Sequence, residues 1–402
     1  MSTMSAFHPA DPVEVAAFIA DAAAAHSSLS ITGLASKAAL GRPVKTERHL
    51  DLSRLSGVLF YEPDELVISA LAGTPIEDIT ALLAENAQEL PFEPPSFADL
   101  YGTGSGTLGG CLMTNCSGPR RIKAGAVRDF VLGIKAVSGR GEVFKAGGRV
   151  VKNVTGYDLP RGLAGSFGTL AVATEITLKV LPRAETSATL ILENLDPGRA
   201  VEALCAAMGA PVDVSGAAHL PLAAATAQGF ATPITALRLE GFAPSVAERL
   251  DRLATQLKPF GAAERLSEDS SQTLWRAIRD VTPLARQAEK IIWKISVAPT
   301  SGPKIAEAVA HVHSTEALFD WSGGLVWLAL DPCPDAAASL IRQAVAQYGG
   351  GHATLIHAPV ETRAAVPIFE PQPPALAGLS RRLKDAFDPH GILEPRRMWA
   401  EF

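Results

Sequence analysis

The chemistry legible in this chain begins with glycine. Gly104-Ser105-Gly106-Thr107-Leu108-Gly109 has the G-x-G-x-x-G spacing that lets backbone N–H groups approach a phosphate, and Asp129 follows twenty positions after the last glycine. A nicotinamide dinucleotide fold needs a strand before this motif and a long helix after it. Residues 94–101 instead hold two prolines and no strand pattern, and Gly118-Pro119 arrives nine residues downstream, too soon for such a helix. That fold is therefore rejected. What remains is Gly102, Gly104, Gly106, Gly109 and Gly110, followed by Thr114, Asn115, Ser117 and Gly118, whose side chains add donors to a glycine backbone. On composition alone the stretch is either a pyrophosphate cradle or a glycine-rich turn crossing a core.

Other reactive residue types carry less. Cys111 and Cys116 have the C-x4-C start of a plant-type iron–sulfur site, but Pro119 stands where a third cysteine would come, so two small buried residues are expected. His311 and His313 fall on different faces near a helix end, and His352 and His357 read as strand histidines. No metal is expected.

The elements that must position the loop follow from composition and period. The chain has 402 residues, 47% apolar and 19% charged, with mean hydropathy +0.17, which describes two or three well-packed domains and excludes a disordered protein. Its 36 basic and 42 acidic residues give a net charge of −6 without a basic stripe, which excludes nucleic acid as a partner. No apolar run approaches the ~20 residues of a membrane helix. Residues 1–10 lack the Lys or Arg of a secretory signal, and four cysteines are too few for a disulfide framework, so a cytoplasmic location is expected.

Asp11 caps a helix with Pro12 at its first position, a strand covers residues 29–32, and two more cover 57–61 and 66–71. Thr74-Pro75-Ile76-Glu77 predicts a capping box. Residues 94–118 show no period, residues 130–137 and 142–145 form a hairpin, and residues 170–180 alternate as a half-buried strand. Beyond residue 184, strands at 189–192, 235–239, 291–297 and 324–330 interleave with helices at 199–208, 245–257, 303–312 and 334–348, which implies an antiparallel sheet covered by helices. A last helix spans 376–387.

Lys152-Asn153-Val154-Thr155-Gly156-Tyr157-Asp158-Leu159 leads into Gly165-Ser166-Phe167-Gly168-Thr169-Leu170-Ala171-Val172-Ala173-Thr174-Glu175. With the 102–118 loop and Gly125-Ala126-Val127-Arg128-Asp129 ahead of them in the same order, these motifs resemble the vanillyl-alcohol oxidase, or PCMH-type, FAD-binding family over residues 29–181. The resemblance implies an α+β fold: a PCMH-type FAD-binding domain over 1–183, an α+β cap domain with an antiparallel sheet over 184–370, and a helix and tail over 371–402 returning to the FAD domain. It implies FAD as cofactor. Its first loop would supply Thr32, Gly33, Ser36 and Lys37, although Gly33-Leu34-Ala35 replaces three consecutive glycines and should hold the backbone further from the pyrophosphate. Its second loop would supply Pro95, Gly104, Gly106, Thr107, Gly109, Gly110, Thr114, Asn115, Ser117 and Gly118. Later motifs would add Gly125, Arg128, Lys152, Asn153, Gly156, Tyr157, Asp158, Gly168, Thr169 and Val172.

Within that family, Pro91-Phe92-Glu93-Pro94-Pro95, the Thr107-Leu108-Gly109-Gly110 turn and a modest second domain are similar to the FAD-binding E subunits of bacterial glycolate oxidases. Stand-alone 2-hydroxyacid dehydrogenases of this fold carry an H-x-G-D-G-N-x-H stretch, and the region of His352 to His357 lacks its Asp and Asn. The tail, from Asp388-Pro389 to Met398, is similar to D-P-x-G-I-L-N-P-G-x-M, with Glu394 and Arg396 in place of Asn and Gly. The implied activity is oxidation of glycolate or a similar 2-hydroxy acid, with electrons passing to a homologous flavin subunit and an iron–sulfur subunit. Two alternatives stay open: a self-sufficient FAD-dependent 2-hydroxyacid or polyol dehydrogenase, and an assembly protein that has lost its flavin. The catalytic residues are not identified; Arg128, Lys152 and Tyr157 are weak candidates for a base or a carboxylate partner.

Overall fold

The computed structural model describes residues 6–150, 156–285 and 289–402, so Lys152 and Asn153 lie outside the described residues. The chain divides into two compact units. The first comprises Met1–Ser117, Gly125–Arg183 and Pro371–Phe402; the second comprises Gly118–Ala124 and Ala184–Glu370.

In the first unit, Asp11 accepts the N–H groups of Val13 and Glu14 at 2.7 and 2.9 Å and starts the helix Pro12–Ala24. That helix buries Val15, Ile19 and Ala22 against Leu29, Leu50, Val137 and Val172, each aliphatic side chain worth about 1.5–3 kcal/mol. Five antiparallel strands form the main sheet, in the spatial order Val58–Glu62, Val67–Leu71, Ala171–Lys179, Val131–Ser138, Val143–Gly147. Ala171–Lys179 is the central strand. Its alternation suggested one wet face, yet only Glu175 and Lys179 are not buried, because both faces are covered and the polar Thr174 and Thr177 are bonded to Lys135 O and Ser69 Oγ.

The expected capping box does not form. The helix Ile76–Glu85 starts after Pro75 without a side-chain cap, and Thr74 Oγ1 donates to Leu71 O at 2.7 Å while accepting from Gly57 N. Nor is the 94–118 stretch wholly irregular. It holds the short helices Ala98–Tyr101 and Leu108–Thr114, the second capped by Thr107 Oγ1 on Gly110 N.

A two-stranded parallel pair, Leu29–Thr32 with Arg48–Asp51, leads into the 33–38 loop, and the C-terminal tail lies alongside it through a parallel bridge between Leu29 and Leu393. The tail is anchored at the end of the helix Pro374–Phe387. There the buried Lys384 ammonium donates to Asp388 at 2.6 Å, Thr169 O at 2.7 Å and Leu393 O at 2.9 Å. Asp388 also accepts the amides of Ile392 and Leu393. A Cβ at residue 139 would fall 2.3 Å from the Asp388 carboxylate, so this contact requires Gly139.

The second unit is built on an eight-stranded antiparallel sheet. Ile291–Val297, Leu325–Leu330 and Gly351–His357 back one core with Trp293 at its centre, and Thr186–Glu193, Val214–Leu220 and Ile234–Gly241 back another. Three of its strands, Val214–Leu220, Ala263–Arg265 and Thr315–Asp320, were not marked by the sequence pattern, while Gly351–His357 carries the two histidines read as strand residues. The segment Gly118–Ala124 also belongs here, which departs from an unbroken first domain to residue 183. Ile122 packs on the second core, Arg120 meets Glu240 at 2.8 Å, and Trp321 Nε1 donates to Gly118 O at 3.1 Å. Among the described residues no helix is long and apolar enough to cross a membrane.

Candidate functional site

The first unit contains a cleft of about 750 Å³, counting the space that opens to solvent. One wall is the loop that follows the Leu29–Thr32 strand. Ala35 takes a left-handed φ of 54°, and the backbone N–H groups of Leu34, Ala35, Ser36 and Lys37 meet no acceptor among the described residues. Successive unspent amides around a left-handed residue make a concave anion nest. The Lys37 ammonium lines the same cleft; the side chain is 9% exposed and has no hydrogen-bond or ion-pair partner among the described residues. An ammonium with no counter-charge beside a nest of unspent amides favours an anion at this wall.

Beside it lies the Thr107–Thr114 region. Leu108 N donates to Thr74 O, Gly109 N to Ala72 O and Gly110 N to Thr107 Oγ1, so these three amides are engaged, whereas those of Gly104, Ser105, Gly106 and Thr107 meet no acceptor among the described residues. The glycines also serve close approach. A Cβ at Gly33 would stand 2.7 Å from the Thr107 side chain, one at Gly106 2.7 Å from Lys37 Nζ, and one at Gly109 2.9 Å from Ala72 O. The loop lacking three consecutive glycines still presents free amides, because Ala35 takes the left-handed turn that frees them.

Apolar side chains of Leu52, Met113, Phe167 and Val172 complete the cleft. They offer a dry wall for a flat ring system. A cation and a nest in one cleft with an apolar wall suit a dinucleotide carrying a diphosphate and an aromatic ring, which is the chemistry of FAD.

Of the residues expected to bind a cofactor, Thr32, Gly33, Ser36, Lys37, Thr107, Gly109, Gly110, Thr114, Gly168 and Val172 line this cleft. Gly106 backs it against Lys37. Pro95, Gly104, Asn115, Ser117, Gly125, Arg128, Gly156, Tyr157, Asp158 and Thr169 are not among its lining residues, and Gly118 lies in the second unit. Several of these have local structural roles. Asn115 ends the Leu108–Thr114 helix with φ 48° and accepts Arg128 N, Ser117 accepts Val127 N, and Asp158 caps Leu159–Leu163. Tyr157 is 88% exposed. The sequence left the tail's contribution open; Glu394 and Arg397 both line the cleft.

The cysteines and histidines take structural places. Burial pushes the Cys111 thiol up to about 12, so it is not a thiolate near neutral pH. His357 Nδ1 lies 2.7 Å from Lys290 O, and burial, with Lys294 next, holds His352 below the usual histidine range. Among the described residues no group of His, Cys, Asp and Glu could hold a metal.

Cleft and fold define a flavoprotein of the PCMH type. Residues 5–147 match the family model of the FAD binding domain, and the chain binds FAD as an FAD-dependent oxidoreductase component. It is 34% identical to the glycolate oxidase subunit GlcE of Escherichia coli over 373 residues, covering 93% of each chain, and it belongs to that family. It is also 29% identical to the glycolate oxidase subunit GlcD of Bacillus subtilis, covering 73% of this chain and 68% of that one. Among solved structures, p-cresol methylhydroxylase superposes with a TM-score of 0.75 at 13% identity, over 99% of this chain and 89% of that one. The 4-ethylphenol oxidase of Gulosibacter chungangensis gives 0.69 at 14% identity, over 98% and 89%. These two share the fold.

Proposed function

We propose that this chain is the FAD-carrying subunit of an enzyme complex that oxidises glycolate, or a similar 2-hydroxy acid, to the 2-oxo acid. The observation that carries this reading is identity to GlcE sustained over 93% of both chains. In this reading the Lys37 ammonium and the Leu34–Lys37 amides hold the FAD diphosphate, and Phe167 and Val172 keep water from the ring. FAD, when bound, supplies a two-electron acceptor for the C–H and O–H of the hydroxy acid. Similarity of the one chain to both GlcE and GlcD supports a second, homologous flavin protein as partner. An iron–sulfur protein then takes the electrons, and the complex works on the cytoplasmic side, reaching the membrane through its partners.

The test is the visible spectrum of the purified chain, before and after glycolate is added without air. A flavin spectrum that glycolate leaves unbleached, and that bleaches once the partner chains are added, is the expected result. Bleaching of the lone chain would overturn the division of labour and make it a self-sufficient dehydrogenase. A chain that neither carries nor takes up FAD would refute the cofactor role itself.

A further inference from the structure

The tail residue Arg397 lies 360 positions from Lys37 yet lines the same cleft. Its guanidinium has five N–H groups in a planar fork. One is given to Glu394 Oε2 at 3.1 Å and one to Lys37 O at 3.2 Å. The others find no acceptor among the described residues, and Nε in particular is sealed from solvent with no partner. The remaining N–H of each terminal nitrogen, on a side chain that lines the cleft, is thus available to an acceptor-rich group there.

The fork is held in place by the fold. Glu394, 1% exposed, accepts Ile31 N at 2.7 Å and Arg397, and Arg42 N donates to Arg397 O at 2.9 Å. A side chain at residue 41 would meet Arg397 at 3.1–3.3 Å, and Gly41, at φ 94°, leaves that room. Upstream, the Lys384–Asp388 anchor fixes where the tail begins. Lys37 carries three further N–H groups without partners. Two cations with most of their donors unspent therefore border one cleft.

We propose that Arg397 is a cofactor-binding residue, the second cation on the diphosphate of FAD, and that it makes the cleft select flavins carrying phosphate over riboflavin. This rests on the reading that FAD occupies the cleft. Glu394 acts as a positioning residue: it aims the guanidinium and keeps the pair compact.

The apo form of the purified chain is titrated with FAD and with riboflavin, following flavin fluorescence. Arg397→Gln is expected to weaken FAD about 10- to 100-fold, the range of a lost charge-assisted contact, and to change riboflavin less than about twofold. Arg397→Lys, which keeps the charge and loses the fork, falls between the two. Unchanged FAD affinity in Arg397→Gln overturns the proposal, as does a parallel loss of FAD and riboflavin, the signature of a structural role. Should Arg397→Gln fail to fold, Arg397→Lys carries the test alone, and no loss of FAD relative to riboflavin refutes it. A wild-type chain that binds riboflavin as tightly as FAD also refutes it. Failure of the wild type to bind any flavin sinks the cofactor reading, and the proposal with it.

Discussion

Replacing Lys37 with methionine separates two energies that the wild type holds in opposition. In the bound state a unit charge about 4 Å from a phosphate oxygen is worth about 4 kcal/mol at an effective dielectric near 20, and a charge-assisted hydrogen bond nets about 1.5–3 kcal/mol. The Lys37 ammonium has no competing protein partner among the described residues, so little of this is offset by rearrangement. We take a loss of about 3 kcal/mol, equivalent to roughly 150-fold weaker FAD. In the free state the sign reverses. Lys37 is 9% exposed without a counter-ion, and methionine has a similar stem and no charge. Because the cleft is open to solvent, only part of the desolvation cost is recovered, about 1 kcal/mol, which raises the melting temperature of the apo chain by about 2–4 °C. Flavin fluorescence titration measures the first energy and calorimetric melting of the apo chain the second. An FAD affinity within threefold of wild type together with an unchanged or lower apo melting temperature would show that Lys37 already has a partner, and the argument for an anion at this wall would fall.

Further consequences follow from the buried titratable groups. His219 is fully buried with Nε2 unpartnered and Nδ1 3.0 Å from Thr235, and burial pushes its pKa down to about 4. Since the unfolded histidine titrates near 6.5, its contribution is complete above that pH and is lost as pH falls through 6.5 towards 4, about 2 kcal/mol between pH 7.5 and 5. His219→Asn should flatten the urea-midpoint difference between those pH values by that amount; an unaltered difference refutes it. Lys384→Met leaves Asp388 buried without its cation and should cost about 3–5 kcal/mol in urea unfolding, with Lys384→Met/Asp388→Asn regaining part of the loss. A double variant no more stable than the single one would argue against the pair. Finally, Cys111, its thiol held at about 12, is a poor thiolate for covalent attachment near neutral pH, so acid precipitation should partition flavin between pellet and supernatant in the same way for wild type and Cys111→Ser. Flavin retained in the pellet only by the wild type refutes this.

Local physics alone determined much of this protein. Asp11 with Pro12 and the alternation of Val172, Thr174, Ile176 and Leu178 each encode an element within a dozen residues, so a helix start and several strands could be read directly, while the class of cofactor came from the resemblance that the ordered glycine motifs carry. The strand Val214–Leu220 escaped because Ser, Gly and Ala carry no period-two pattern; Gly216 is there because a Cβ would stand 2.8 Å from the Trp275 ring, a neighbour 59 positions away. Likewise, a glycine motif cannot say whether its amides are free. Ala72 O and Thr74 O consume those of Gly109 and Leu108, and only the folded chain brings them there. The excursion of Gly118–Ala124 into the second unit depends on Glu240, Asp213 and Trp321, all distant in sequence. Arg397 reaches Lys37 only because Lys384 and Asp388 anchor the tail beside the Leu29–Thr32 strand. Residue types and spacing specify which groups can do chemistry; which donors remain unspent is decided by contacts across hundreds of positions.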